Sequence, residues 1–276
     1  MVNKKLQRCG LILLVLPLLA CAEVFQWTDQ QGQPHYSDQA GNNAQKMVID
    51  APPTTYYQVE KVFDGDTILL SNGTKVRFLG INTPEVAGGR KTEEQGGQEA
   101  KNWLKQRLEH NKVSLQFDVE KQDKYQRSLA YVFDEQKRNI NLELVKNGLA
   151  SVSIFPPNLT YLDQLLAAQQ SAEAAKLGIW AYPQYAAKSF QSLNQDNYQG
   201  WQRITGMIRA VKKARKNYYL QFSEQVALQV PDEFVELFPD LQSYVGKTIE
   251  ARGWVHRSKD RCALLIRHPG ELKRLN

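Results

Sequence analysis

Three short stretches of this 276-residue chain hold residue types that can do chemistry together. The first is Asp64-Gly65-Asp66-Thr67. The second is Val76-Arg77-Phe78 followed by Gly80-Ile81-Asn82-Thr83-Pro84-Glu85. The third is Asp123-Lys124-Tyr125-Gln126-Arg127-Ser128-Leu129. Each has an ordinary structural meaning alone. Asp-Gly is a common turn, and Arg77 faces away from Val76 and Phe78, as a solvated side chain would. Glu85 after Pro84 can be a plain loop acid, and Arg127 can guard a strand edge. Together they suit one kind of reaction. Carboxylate and amide oxygens bind a hard cation such as Ca²⁺. Two guanidinium forks match phosphate oxygens and keep their charge. A further acid can orient or deprotonate water. That is the equipment of metal-assisted phosphodiester hydrolysis.

The elements that must position these residues follow from periodicity. Strand-like runs at 58–63, 67–70 and 75–79 are separated by Asp64-Gly65 and Asn72-Gly73 turns. A Gly-rich polar loop spans 86–97. A helix is predicted over 98–110, with Ala100, Trp103, Leu104 and Leu108 on one face. Strands at 113–117 and 129–133 follow, then helices at 140–147 and 162–175. This α+β order is compatible with a small closed barrel. The segment from 198 to 276 shows five further strands, at 204–211, 218–222, 226–230, 248–255 and 263–267. An amphipathic stretch at 232–241 lies between its third and fourth strands. Five strands with a helix there follow the OB plan, so the expectation is a second, smaller OB-like β-barrel.

Composition narrows the class. Hydrophobic residues at 42% and charged residues at 23% argue against a disordered, collagen-like or coiled-coil chain. Only Cys9, Cys21 and Cys262 are present, and the four histidines share no ligand spacing, which excludes a Cys-rich zinc site. Lys4, Lys5 and Arg8, an apolar run at 11–19, and Ala20-Cys21-Ala22 form the pattern of a secretory signal over 1–22, cleaved after Ala22. The apolar run is shorter than the ~20 residues needed to cross a bilayer, so no transmembrane span is expected in the mature chain. The expected location is periplasmic or secreted. Leu18-Leu19-Ala20-Cys21 also forms a loose lipoprotein signal, in which Cys21 would anchor the chain. Cleavage would leave Cys262 as the one thiol, with no internal disulfide.

The remaining organisation is a small β-hairpin and linker at 23–54, a catalytic candidate at 55–182, a linker at 183–197 and the OB-like segment at 198–276. The hairpin sequence, Phe25-Gln26-Trp27-Thr28-Asp29 through Tyr36-Ser37-Asp38, resembles a short N-terminal domain of unknown function common in exported bacterial proteins. The net charge of +6 is unevenly spread. Residues 55–182 hold sixteen basic and sixteen acidic residues, whereas 183–276 hold fifteen and nine. Arg209, Lys212, Lys213, Arg215 and Lys216, with Tyr218, Tyr219 and Trp254 nearby, suit contact with single-stranded nucleic acid; a solvated basic loop is the plainer alternative.

Over nearly all of 58–182 the motifs and their order resemble the thermonuclease family, the staphylococcal-nuclease-like enzymes. Gly148-Leu149-Ala150 and Gly178-Ile179-Trp180 extend the match. The resemblance implies a five-stranded OB-like nuclease barrel with packed helices, acting on DNA and RNA to leave 3′-phosphorylated products. It implies Ca²⁺ bound by Asp66, by Asn82 at the place of a second acid, and by the backbone carbonyl of Thr83. It implies Glu85 as catalytic acid and Arg77 and Arg127 as phosphate-binding catalytic arginines. Tyr125 would help hold a nucleotide phosphate with Lys124 beside it. The base-stacking aromatic falls on Phe155, in a stretch one residue shorter than usual and without tyrosine. Asn82 keeps an oxygen donor but removes a charge, which predicts a weaker calcium site. Two other function classes compete: a nucleic-acid-binding module without catalysis, and an envelope-anchored scaffold held through Cys21. Retention of Glu85 argues against the first, because binding alone has no use for that acid.

Overall fold

The structure, a computed structural model, describes residues 25–29, 31, 33–39, 45–46, 54–88, 92–193, 200–258 and 261–275. The signal expected over 1–22, most of the linker expected at 42–55 and residues 194–197 of the linker expected at 183–197 lie outside them. The chain divides into two compact units, Met1–Pro53 and Thr54–Asn276. In the first, β1 (Phe25–Thr28) pairs antiparallel with β2 (Pro34–Ser37) and with β3 (Gln45–Lys46). Asp29 shapes the β1–β2 turn by accepting from the Gln31 and Gln33 amides.

The second unit begins with β4 (Tyr56–Asp64), β5 (Thr67–Leu70) and β6 (Lys75–Phe78), then the short β7 (Ile81–Asn82). Helix α1 (Gly97–Leu108) leads to β8 (Lys112–Gln116) and β9 (Ser128–Asp134). Strands β4-β5-β6-β9-β8 close into a barrel in which β6 and β9 run parallel. Val59, Ile68, Leu70, Val76 and Phe78 fill it. Helix α1 seals one end with Ala100, Leu104 and Leu108, the i, i+4, i+8 stripe of the expected face. Trp103, also expected there, is only partly buried, with the Arg107 guanidinium 4.2 Å from its ring centroid. Then come α2 (Ile140–Lys146), β10 (Ser151–Val152) and α3 (Leu162–Ala174). The buried Asn141 on α2 accepts from the Val132 amide and donates to the Leu79 carbonyl, tying α2 to the end of β6.

Residues 183–192 carry two single 3₁₀ turns flanking β11 (Lys188–Ser189). The C-terminal sheet comprises β12 (Trp201–Met207), β13 (Ala210–Ala214), β14 (Asn217–Gln221), β15 (Val226–Pro231), β16 (Thr248–Ser258) and β17 (Arg261–Leu265). β18 (Leu272–Leu275) is added beside β16. The sequence predicted one strand over 204–211; it is bent in two. The Ile208 amide donates to the Lys247 carbonyl, while the Arg209 amide donates to Gln221. The chain thus leaves β16 for β14, and one bent strand pairs with both ends of the sheet. The amphipathic stretch at 232–241 is not an α-helix. It forms 3₁₀ turns at Asp232–Leu237 and Leu241–Tyr244, interrupted at Pro239, which lacks the amide a continuing helix needs. Among the described residues no helix is long and apolar enough to cross a membrane.

The two barrels meet along α3. Glu173 of α3 pairs with Arg203 of β12 (3.2 Å) and with Arg252 of β16, and both arginines also pair with the buried Glu250. Trp180, Tyr185 and Trp201 cluster beside this network, with ring centroids 5.9–6.2 Å apart.

Candidate active site

The turn between β4 and β5 delivers Asp66 into the barrel mouth. Gly65 is required there, because a β-carbon would stand 2.7 Å from Ala100 and Thr83. Asp66 is buried. Its Oδ2 accepts from the Thr83 amide (3.0 Å) and meets Arg77 Nη2 at 2.9 Å, and its Oδ1 accepts from the Thr67 hydroxyl. Burial pushes its carboxyl up to about 6, against the pull of Arg77. Arg77 sits on β6 between the buried Val76 and Phe78, and so points away from the core, as its pattern predicted. Its Nη1 donates to the Phe78 carbonyl and its Nη2 to Asn82 Oδ1 (3.1 Å). Asn82 is fixed by pairing of β7 with β10, opposite Ser151, and donates through Nδ2 to the Thr83 carbonyl. Asp66, Arg77, Asn82 and Thr83 therefore form one bonded cluster.

Asp66, Asn82 and Thr83 offer a carboxylate, an amide and a backbone carbonyl oxygen, the donor chemistry of a hard cation. Among the described residues no group of three or more His, Cys, Asp or Glu gathers as a metal cage. Asp66 brings the one formal charge of this donor set.

Glu85 follows Asn82 on the same loop. Its amide donates to Glu94 Oε2 (3.0 Å), and the Glu94 amide donates back to the Glu85 carbonyl. Gly97 allows this loop to lie against α1, since a β-carbon there would collide with the Glu85 carbonyl. On the neighbouring strand, Arg77 pairs with Leu129, which brings Arg127 to the same edge of the barrel. Asp123 orders that loop by accepting from the Tyr125 and Arg127 amides and from Arg127 Nε (2.7 Å). Burial would raise the Asp123 carboxyl, but these donors hold it below its ordinary value.

A cavity of about 860 Å³ is lined by Arg77, Asn82, Lys124, Tyr125, Arg127 and Phe155, six of the nine residues singled out from sequence. Asp66 and Thr83 are buried and bonded to the lining residues Arg77 and Asn82 without lining the cavity themselves, and Glu85 belongs to the adjoining loop rather than to the lining. Tyr125 is largely exposed, with Lys124 and Arg127 over its ring. Phe155 is half-exposed, but the Arg267 guanidinium lies 4.5 Å from its ring centroid. Sequence reasoning missed the supporting residues. Asp123 was legible as an i, i+4 partner of Arg127. Glu94, and Arg267 from the second barrel, carry no local signal, because only tertiary folding brings them here; Trp254 was singled out with the basic cluster, but its place in this cavity was not expected. The basic cluster of the C-terminal segment is split. Lys212 faces outward from β13, whereas Lys213 turns to Tyr218 Oη (3.2 Å) and Asp232.

Comparison with known proteins bears on the family of the chain. Residues 75–182 match the family model described as staphylococcal nuclease homologue, and residues 11–57 match a domain of unknown function, DUF4124. The chain is 38% identical over 129 residues to a thermonuclease of Staphylococcus intermedius, covering 45% of this chain and 75% of that protein. It is 33% identical over 168 residues to the endonuclease YncB of Bacillus subtilis, covering 59% and 74%. It is also 29% identical over 204 residues to an uncharacterized protein of Methanocaldococcus jannaschii, covering 65% and 98%. Barrel, motif order and these likenesses agree: the chain belongs to the thermonuclease family of phosphodiester-hydrolysing nucleases.

Proposed function

We propose that this chain is an exported, calcium-dependent endonuclease that hydrolyses DNA and RNA to 3′-phosphorylated products. The observation that carries the reading is the cavity holding Arg77 and Arg127 together above the buried Asp66. Glu85 orients the attacking water and takes its proton. Arg77 and Arg127 donate to phosphate oxygens as charge builds on them, which is where a preorganised donor contributes most. Asp66, Asn82 and Thr83 would hold the Ca²⁺, which when bound neutralises a phosphate oxygen and orients the diester. Lys124 and Tyr125 contact a neighbouring phosphate, and the open face of Phe155 receives a base. The same reading extends to the C-terminal barrel, whose outward Lys212, Tyr219 and Trp254 suit a single strand. Export rests on the signal-like N-terminus; mass spectrometry of the mature chain should find Glu23 first, and a lipidated Cys21 would replace release with anchoring.

The test is digestion of DNA and RNA oligonucleotides by the purified mature chain, with calcium or with a chelator. Cleavage in calcium, its loss on chelation and 3′-phosphate ends are expected. Cleavage indifferent to chelation would overturn the calcium assignment, and 5′-phosphate ends would overturn the bond assignment.

A further inference from the structure

The catalytic cavity does not end within the nuclease barrel. Trp254, on β16 of the second barrel, lines it, and is 44% exposed. Trp254 also lines an adjoining cavity of about 480 Å³ that shares Asn82. From Trp254 the strand registers continue across the outer face of the second barrel. Val255 pairs with Leu264, which sets Trp254 beside Leu265. Leu265 pairs with Gln229, Gln229 with Tyr219, and Tyr219 with Lys212. Paired residues in a sheet share a face. The neighbouring row, Leu264, Leu228 and Leu220, is fully buried, which confirms that the Trp254-to-Lys212 row points outward.

This row crosses four strand spacings, about 19 Å at ~4.8 Å each. Beside it lies a cavity of about 730 Å³ whose lining includes Lys212, Tyr219, Ala227, His256, Arg261 and Ala263. Ala227 and Ala263 leave its floor flat. Lys212 and Arg261 give it positive charge, against Glu224 as the acid in the lining. His256 Nε2 bonds Gln229 Oε1 at 2.9 Å, and burial lowers the basicity of its ring. A flat floor, two aromatic rings and basic ends suit unpaired bases and a phosphate backbone.

We propose that the outer face of the second barrel is a track for single-stranded nucleic acid, continuous with the catalytic groove through Trp254 and running over Tyr219 to Lys212. The track rests on the nuclease reading for its substrate class. Trp254 and Tyr219 stack bases, and Lys212 and Arg261 pair with phosphates. The chain therefore grips a few nucleotides beyond those at the reacting phosphate, so long single strands bind better than short ones.

The test uses the full mature chain carrying Glu85→Gln, so that ligand survives, and fluorescence anisotropy of single-stranded oligothymidylates. Trp254→Ala and Tyr219→Ala should each weaken binding of a dodecanucleotide about tenfold, within the range for lost base–aromatic stacking. Trp254→Phe and Tyr219→Phe keep a ring and should restore most of the affinity, which separates stacking from damage to the fold. Lys212→Ala should lower the salt slope of binding by about 0.7. Lys213→Ala removes the same charge from the other face and should leave the slope within error. Dodecanucleotide binding equal to the parent in both alanine variants would overturn the track, as would equal slopes for the two lysine variants. Cleavage by the unaltered chain is scored separately. If it cleaves while the alanine variants bind normally, the track alone fails; if it never cleaves while Tyr219 still governs binding, the nuclease reading alone fails.

Discussion

Both barrels follow the same path, with strands one to three in sequence, the third parallel to the fifth, and the fourth antiparallel to the first. They differ in what the connections carry. Between strands one and two the first barrel has Asp64-Gly65-Asp66, and the second has Arg215-Lys216. Between strands three and four the first inserts the Asn82–Glu85 loop and α1, and the second inserts 3₁₀ turns. Strand three of the first carries Arg77, and strand three of the second carries Gln229. Shared topology thus supplies a rigid mouth and an outer face, while the chemistry belongs to the residues grafted on them. The second barrel lends Trp254 to the lining of a cavity that the first one builds.

The sharpest way to break this contrast is to remove an arginine from the first barrel. Arg77→Ala should lower kcat at least a hundredfold, since a preorganised donor to developing charge contributes ~3 kcal/mol. It should also destabilise the fold, because Asp66 is left buried without its cation; urea unfolding would show the loss beside the kinetic one. Arg127→Ala should match the kinetic loss with a smaller stability loss, because its partner Asp123 is half-buried and bonded to backbone amides. An equal kinetic effect from any C-terminal arginine would erase the contrast.

In the second barrel the corresponding experiment is Arg252→Met. It strips Glu173 and Glu250 of a partner at the seam and should cost about 3 kcal/mol in unfolding free energy. The rate on a dinucleotide should change far less than for Arg77→Ala. Low pH probes the same seam. Burial would raise the Glu250 carboxyl, but Arg252 and Arg203 hold it below its ordinary value. A depressed acid stabilises the fold above its unfolded value of ~4.5, and that contribution is lost as pH falls through the folded value. Acid unfolding should accordingly begin at higher pH in Arg252→Met.

Smaller effects concern the cation. Asn82→Asp restores a second negative charge and should tighten apparent calcium affinity several-fold; no tightening would exclude Asn82 from the donor set. Asp66 shifts the opposite way from Glu250, up to about 6. Between pH ~3.8 and 6 the folded chain keeps a proton that the unfolded chain releases, so this group lowers stability as pH rises.

Much of this was legible in the sequence because it is local. The Asp-Gly turn, the outward Arg77 between Val76 and Phe78, and the α1 stripe are fixed by spacing within a few residues. The break between β12 and β13 was not legible, since hydrophobic alternation runs on while the partner strand changes at Ile208. The helix expected at 232–241 failed on one proline. The join between barrels was invisible for a different reason. Trp254 reaches the catalytic cavity through contacts between segments far apart in sequence, and no window of sequence contains both.

We propose the first barrel as a working nuclease in which Glu85 takes the proton of the attacking water. The direct measurement is the single-turnover rate of the mature chain and of Glu85→Gln on one DNA oligonucleotide, in calcium, with binding checked by anisotropy. Binding should stay unchanged within a few-fold while the rate falls at least a hundredfold. A Glu85→Gln protein that cleaves at the unaltered rate would contradict it.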